Sequence, residues 1–208
     1  ILSQADRVVR SCSTSYNSEM EVIARLAEAA RKAKLVHHIM LMVEMGDMRD
    51  GIMPENVAAI ARQVAAMPGV KLRGIGANFA CLSGMAPDAA KMKDLSTIAN
   101  DTERAHGSLI RVISGGNSAN LPWALGAHSS TRINNLRLGE AILLGVEPVS
   151  GDKISGLFTD AFTLVTEVIE AKVIDSKISS SRVSLYLSLS KFNNSMTEKT
   201  LDFIYGSF

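Results

Sequence analysis

The chain has 208 residues, a hydrophobic content of 47% and a formal net charge of +1, which allows a substantial core in one large domain or one domain with an appendage. A near-neutral balance without a long Lys/Arg run argues against a nucleic-acid stripe or a membrane-surface helix, so small polar partners are expected. Cys12 and Cys81 are the two cysteines, in no metal or redox spacing, which argues against a disulfide framework and fits a reducing compartment.

The chain opens ILSQADRVVR without an initiator methionine, so it is expected to be processed, cut or incomplete at this end. It shows no signal peptide and no apolar run long enough to span a bilayer, and the cytoplasm is the expected compartment. SCSTSYN (11–17) reads as a short extended stretch. The next segment, 18–34, starts with Ser18 and Glu21 in an S-x-x-E capping box and repeats Met20, Ile23, Leu26 and Ala30 at helical spacing. HHIMLMVEMG (37–46) is an apolar strand, and PENVAAIARQVAAM (54–67) is a helix opened by Pro54 and closed at Pro68-Gly69. VKLRGIGANFACL (70–82) is strand-like, Pro87-Asp88 opens a helix, and Gly107 stops it. SLIRVISGG (108–116) and INNLRLG (133–139) are the last two strands of the series, each followed by a short helical segment.

Buried strands separated by helices imply parallel pairing through right-handed crossovers. Either a doubly wound sheet or part of a (β/α)8 barrel satisfies that, and both bind ligands where strands end and loops begin. Those ends are polar or glycine-rich here: Asn17-Ser18, Glu44-Met45-Gly46-Asp47 with Arg49, Gly76-Ala77-Asn78, Ser114-Gly115-Gly116-Asn117-Ser118, and Arg137-Leu138-Gly139-Glu140. SGGNS and RLGE both put small residues at helix N-termini, whose free N–H groups favour phosphate. Other polar groups read as packing or solvated residues. His37 and His38 face opposite sides of a strand start and make no metal pair; Asp47 and Asp50 are solvated loop acids; Met40, Met42, Met45, Met48 and Trp123 pack; Cys81 is a buried inert thiol.

Four segments carry a resemblance: MVEMGDMRDGI (42–52), GIGANFACLSG (74–84), ISGGNSANLP (113–122) and NNLRLGEAILLG (134–145). In order and spacing they resemble the pyridoxal 5'-phosphate (PLP)-dependent alanine-racemase-like proteins, and among these the ornithine and related amino-acid racemases. The resemblance runs from about Ile1 to about Lys172. It implies a partial TIM (β/α)8 barrel, about strands 4 to 8, over residues 1–158, and the start of a C-terminal β-domain with a divergent Ser-rich tail over 159–208. DAFTLVTEVIEAKV (160–173) would be the first strand of that domain. The sequence after it departs from the family pattern and reads either as unrelated sequence, as after a change of reading frame or in a degraded gene, or as an ordinary divergent strand-rich appendage.

The resemblance also implies a cofactor, PLP, and roles for residues. Arg137 falls where the family sets an arginine against the pyridine nitrogen. Gly139 and Glu140 would offer backbone N–H groups to the phosphate, Asn117 and Ser118 match its Asn-Ser contacts, and Ser114 lies in the same segment. Arg49 aligns with an arginine near the cofactor's phenolic oxygen, with Glu44-Met45-Gly46 in place of the more usual Asp-Thr-Gly. Asn78 stands where many alanine racemases have a ring-stacking histidine, which favours the ornithine-type branch. The Schiff-base lysine belongs to a strand this chain does not contain, so the chain alone is expected to be inactive. Three classes follow: an amino-acid racemase acting on a small-molecule amino acid, a non-catalytic PLP-binding homeostasis protein, or a remnant without ligand. The open barrel further implies a homo-oligomer, such as a dimer, or a partner that supplies the other strands.

Overall fold

The computed structural model describes residues 2–81, 84, 86–126 and 131–161 in full, and the backbone of 167–174 and 182–188. The chain divides into two compact units, Ile1–Ala161 and Phe162–Phe208. In the first, β1 (Thr14–Asn17), β2 (His37–Val43), β3 (Val70–Ala77), β4 (Val112–Asn117) and β5 (Asn135–Arg137) form one sheet in sequence order. Every neighbouring pair is parallel. A doubly wound sheet reverses its strand order at a switch point; this one never reverses. The two architectures left open by the sequence are thereby resolved in favour of a five-strand arc of a (β/α) barrel.

Helices α1 (Ala5–Ser11), α2 (Met20–Lys32), α3 (Pro54–Ala65), α4 (Ala89–His106), α5 (Leu121–Leu125) and α6 (Glu140–Leu144) connect or precede the strands. Local chemistry sets most of their ends. Pro54 occupies the first turn of α3, where its missing N–H costs nothing. The Asp88 side chain accepts from the Lys91 backbone N–H at 2.8 Å and so caps α4. Gly107, at φ 77°, ends α4 in the left-handed region. The capping box expected at Ser18 and Glu21 does not form. Glu19 stays extended after β1 and is itself the N-cap of α2, which puts Glu21 at the second helical position instead of the third.

The two faces of the sheet differ. Ile39, Leu41 and Val43 of β2, Ile75 and Ala77 of β3 and Ile113 of β4 pack with Ile23, Leu26, Val57, Ala61, Val64, Met92 and Leu95 of the helices into one core. Alternation then turns Met40, Gly74, Gly76, Ser114 and Arg137 to the opposite face, inside the arc. Glycine in β3 is required there: a Cβ on Gly74 would lie 2.0 Å from the Val112 carbonyl oxygen. Met40 and Met42 are buried as expected, whereas Met48, on the loop after β2, is 73% exposed.

In the second unit, β6 (Glu167–Ile174) pairs antiparallel with β7 (Arg182–Ser188), Glu167 opposite Ser188 and Ile174 opposite Arg182. Residues 162–166 of the strand expected over 160–173 lie outside the described residues, as does most of the Ser-rich tail. Among the described residues, no helix is long and apolar enough to cross a membrane.

Candidate functional site

The C-terminal ends of all five strands lie along one rim of the arc, as parallel pairing in sequence order dictates. Arg137, the last residue of β5, reaches back across that rim. Its Nη1 donates to Ser114 Oγ on β4 at 2.6 Å, and its Nη2 donates to the Ala77 carbonyl at 2.8 Å and to Asn78 Oδ1 just beyond β3. The guanidinium carbon stands 4.9 Å from the centre of the Tyr16 ring on β1. Gly76 makes room for this crossing, because a Cβ there would lie 3.3 Å from Arg137 Nη1 and 3.0 Å from Ser114 Cβ.

All three hydrogen-bond acceptors are neutral oxygens, and among the described residues no carboxylate forms an ion pair with Arg137. Burial pulls the guanidinium pKa below its ordinary value, while Tyr16, Asp50 and Cys81 oppose that shift. A partly buried cation held in place without a direct anionic partner favours an acceptor or anion brought from outside.

The loop after β2 is folded by its own acids. Glu44 Oε1 accepts from the backbone N–H groups of Gly46 at 2.6 Å and Met48 at 3.1 Å, while Gly46 adopts φ 104°. Asp47, expected to be solvated, is 2% exposed, and its Oδ1 accepts from the Cys81 backbone N–H at 2.9 Å. The burial tethers this loop to the one after β3. Arg49 and Asp50 then lie at the rim, with Arg49 Nε 4.0 Å from Asp50 Oδ1. Asp50 Oδ1 accepts from Asn78 Nδ2 at 2.7 Å.

At the far end of the rim, Ser118 Oγ accepts from the backbone N–H groups of Gly139 at 3.3 Å and Ala141 at 3.1 Å. The hydroxyl thus caps the start of α6, where Glu140 is the first helical residue. Asn117 Nδ2 donates to the Phe79 carbonyl at 2.8 Å and contacts Cys81 Sγ at 2.9 Å, and its Oδ1 is buried without a partner among the described residues. Cys81 is exposed, not buried as expected: its backbone is fastened by Asp47 at the rim, so its side chain has no core to enter. The tandem glycines have a packing role. A Cβ on Gly115 would meet Ile133 Cγ2 at 2.6 Å, and one on Gly116, at φ 111°, would meet Phe79 Cδ2 at 2.7 Å.

The expected residues therefore form two groups. Arg137, Ser114 and Asn78 are directly bonded; Ser118, Gly139 and Glu140 meet at the start of α6, with Asn117 beside them. Arg49 touches neither group but reaches the first through Asp50. Sequence reasoning missed Tyr16 and Asp50. Tyr16 stands two residues along from Thr14 on β1, and inward alternation could have selected it; the pairing of Asp50 with Asn78 spans 28 residues and has no local signal. Among the described residues, no group of three or more His, Cys, Asp or Glu side chains could hold a metal ion.

Residues 3–148 match the family described as "Alanine racemase, N-terminal domain". The chain is 30% identical over 173 residues to the ornithine racemase of Acetoanaerobium sticklandii, covering 83% of this chain and 49% of that protein. It is 34% identical over 155 residues to the lysine racemase of Thermotoga maritima, covering 74% of this chain and 43% of that protein. The chain thus spans about half the length of the curated relatives it matches. Among solved structures, the alanine racemase of Clostridium difficile 630 in complex with cycloserine superposes with a TM-score of 0.55 at 18% identity, over 73% of this chain and 41% of that one. PipY of Synechococcus elongatus with PLP bound superposes with a TM-score of 0.52 at 19% identity, over 67% and 64%. Both share the fold. A family match that spans every strand of the arc, ending beyond the strand that carries Arg137, leads to one assignment: the chain belongs to the alanine racemase N-terminal domain family.

Proposed function

We propose that this chain carries the ring-nitrogen and phosphate side of a pyridoxal 5'-phosphate site in an amino-acid racemase. The observation that carries the reading is Arg137: a guanidinium fixed by three neutral acceptors, beside an aromatic ring, without a carboxylate partner among the described residues. When bound, PLP supplies an electron sink that acidifies the α-carbon of an amino acid. Arg137 would face the pyridine nitrogen as a donor. Because guanidinium keeps its protons, it leaves that nitrogen unprotonated and moderates the sink, which suits simple inversion at the α-carbon.

In this reading Ser118, Gly139, Glu140 and Asn117 hold the phosphate, the Ser118 hydroxyl turning from the start of α6 toward the anion. Ser114 and Asn78 brace Arg137, and Arg49 serves the phenolic oxygen. The names of the two curated relatives point to a basic amino acid as substrate. We further propose that residues from 159 onward begin a second, β-rich domain, a reading supported by the antiparallel β6–β7 pair. A cytoplasmic, dimeric enzyme is the setting most consistent with a soluble amino-acid substrate and an arc whose two edge strands need partners.

The described strand ends bear no lysine, so this chain supplies binding and orientation while a lysine elsewhere would hold the cofactor covalently. PLP titration of the purified chain, followed by borohydride treatment, tests this. Binding is expected, Arg137→Ala should weaken it at least about tenfold, and borohydride should fix no label on this chain. Equal affinity in Arg137→Ala would sink the reading. The fold shared with PipY keeps a non-catalytic PLP-binding role as the second reading; racemisation of ornithine or lysine, assayed with the chain as its source organism produces it, decides between the two.

A further inference from the structure

We propose that Asp50 is a positioning residue of this site, which aims the Arg137 guanidinium through the side-chain amide of Asn78. The inference rests on the reading of Arg137 as the ring-nitrogen donor. Asn78 is 9% exposed, and both ends of its amide are occupied. Nδ2 donates to Asp50 Oδ1 at 2.7 Å, and Oδ1 accepts from Arg137 Nη2.

The order of these groups follows from hydrogen-bonding chemistry. An amide has one donor end and one acceptor end, a carboxylate only accepts, and a guanidinium only donates. Asp50 therefore compels Nδ2 to face it, and that choice turns Oδ1 toward Arg137. Without Asp50 the amide is free to rotate and set its NH2 group against the guanidinium, donor against donor. The relay also explains why, among the described residues, no carboxylate touches Arg137 directly. A bidentate pair would satisfy the guanidinium's charge and occupy the donors that a ligand needs. One amide away, Asp50 orients the cation and leaves its charge uncompensated by contact.

The relay spans three strand ends. Asp50 follows β2, Asn78 follows β3 and Arg137 ends β5, with Ser114 of β4 receiving the other arm of the guanidinium. Asp50 itself sits at the rim with its side chain 43% exposed, so its removal opens no core cavity.

The test compares Asp50→Ala, Asp50→Asn and Asp50→Leu for PLP affinity and for the Asn78 side-chain amide resonances, which are assigned by their loss in Asn78→Asp. Asparagine at position 50 can still present a carbonyl oxygen to Asn78 Nδ2. The expected result is about a tenfold loss of PLP affinity in the alanine and leucine variants and less than about threefold in the asparagine variant. The Asn78 resonances should move in Asp50→Ala and in Arg137→Ala alike, with the urea midpoint of the PLP-free chain nearly unchanged. Unmoved Asn78 resonances in Asp50→Ala overturn the relay whatever happens to PLP. A lowered urea midpoint with unchanged PLP affinity also overturns it, since Asp50 would then be merely structural. Failure of the unsubstituted chain to bind PLP counts against the site reading alone, and the resonances still decide the relay.

Discussion

Tyr16 and Arg137 are the meeting point of the first and last strands of the arc: the guanidinium carbon lies 4.9 Å from the ring centre, although the two residues are 121 positions apart in the sequence, with three strands and their helices between them. A cation over a ring is worth about 0.5–1 kcal/mol at an exposed site, and Tyr16 is 42% exposed. Tyr16→Ala should therefore weaken PLP binding by about two- to fivefold. Tyr16→Phe keeps the ring face and should bind like the unsubstituted chain. Titration of both variants with PLP checks this, and equal loss in the two would transfer the role from the ring to the hydroxyl.

Two glycines on the same rim should fail in different ways. Gly76→Ala places a methyl 3.0 Å from Ser114 Cβ and 3.3 Å from Arg137 Nη1; the flexible arginine gives way first. Its expected effect is lost PLP affinity with a small change in stability. Gly116→Ala combines φ 111° with a ring carbon of Phe79 at 2.7 Å. Phe79 is fully buried and cannot yield, so a loss of about 1–3 kcal/mol is expected in urea denaturation.

The alternation of apolar strands with capped helices made the arc legible from sequence, because each unit's signals are local: Pro54 at a helix start, Asp88 as a cap, Gly107 as a stop. The capping box at Ser18 misled because a strand running directly into α2 keeps Glu19 extended. The rim was legible only in part. Arg137 and Asn78 stand at strand ends, but their bond joins residues 59 apart. Asp47 and Cys81 exchanged their expected environments for the same reason: a hydrogen bond between two loops, 34 residues apart, decides which side chain is buried.

Arg132 should be a stability determinant that lies outside the binding site. Its guanidinium donates to Glu103, to Asn100 Oδ1 at 2.5 Å and to the Ile110 carbonyl at 3.2 Å, strapping the approach to β5 onto the end of α4. Glu103 also accepts from the Ile110 backbone N–H at 2.8 Å. Arg132→Ala leaves that carboxylate and carbonyl without their shared donor and should cost about 1–3 kcal/mol. Arg132→Lys should recover little, since a single ammonium cannot reproduce the fork. Urea denaturation of both variants measures the difference; full recovery by lysine would mean that charge alone suffices.

His37 should make stability depend on pH in a window of its own. The residue is 1% exposed on β2, with Nε2 2.8 Å from Ser15 Oγ. Burial is the main cause that pushes its pKa below the ordinary imidazole value, so the folded chain binds fewer protons here than the unfolded one. Stability from the neutral ring is then fully present above the unfolded pKa of about 6.5 and is lost as pH falls below it, by at most about 1.4 kcal/mol per pH unit. Glu103 and Asp88, whose pKa values are lowered chiefly by hydrogen bonds from Arg132 and Lys91, lose their contributions only at lower pH, below the ordinary carboxylate range near 4. Urea midpoints between about pH 7.5 and pH 5.5 isolate the histidine. The unsubstituted chain should weaken across that interval and His37→Gln should not; parallel slopes in the two would place the titrating group elsewhere.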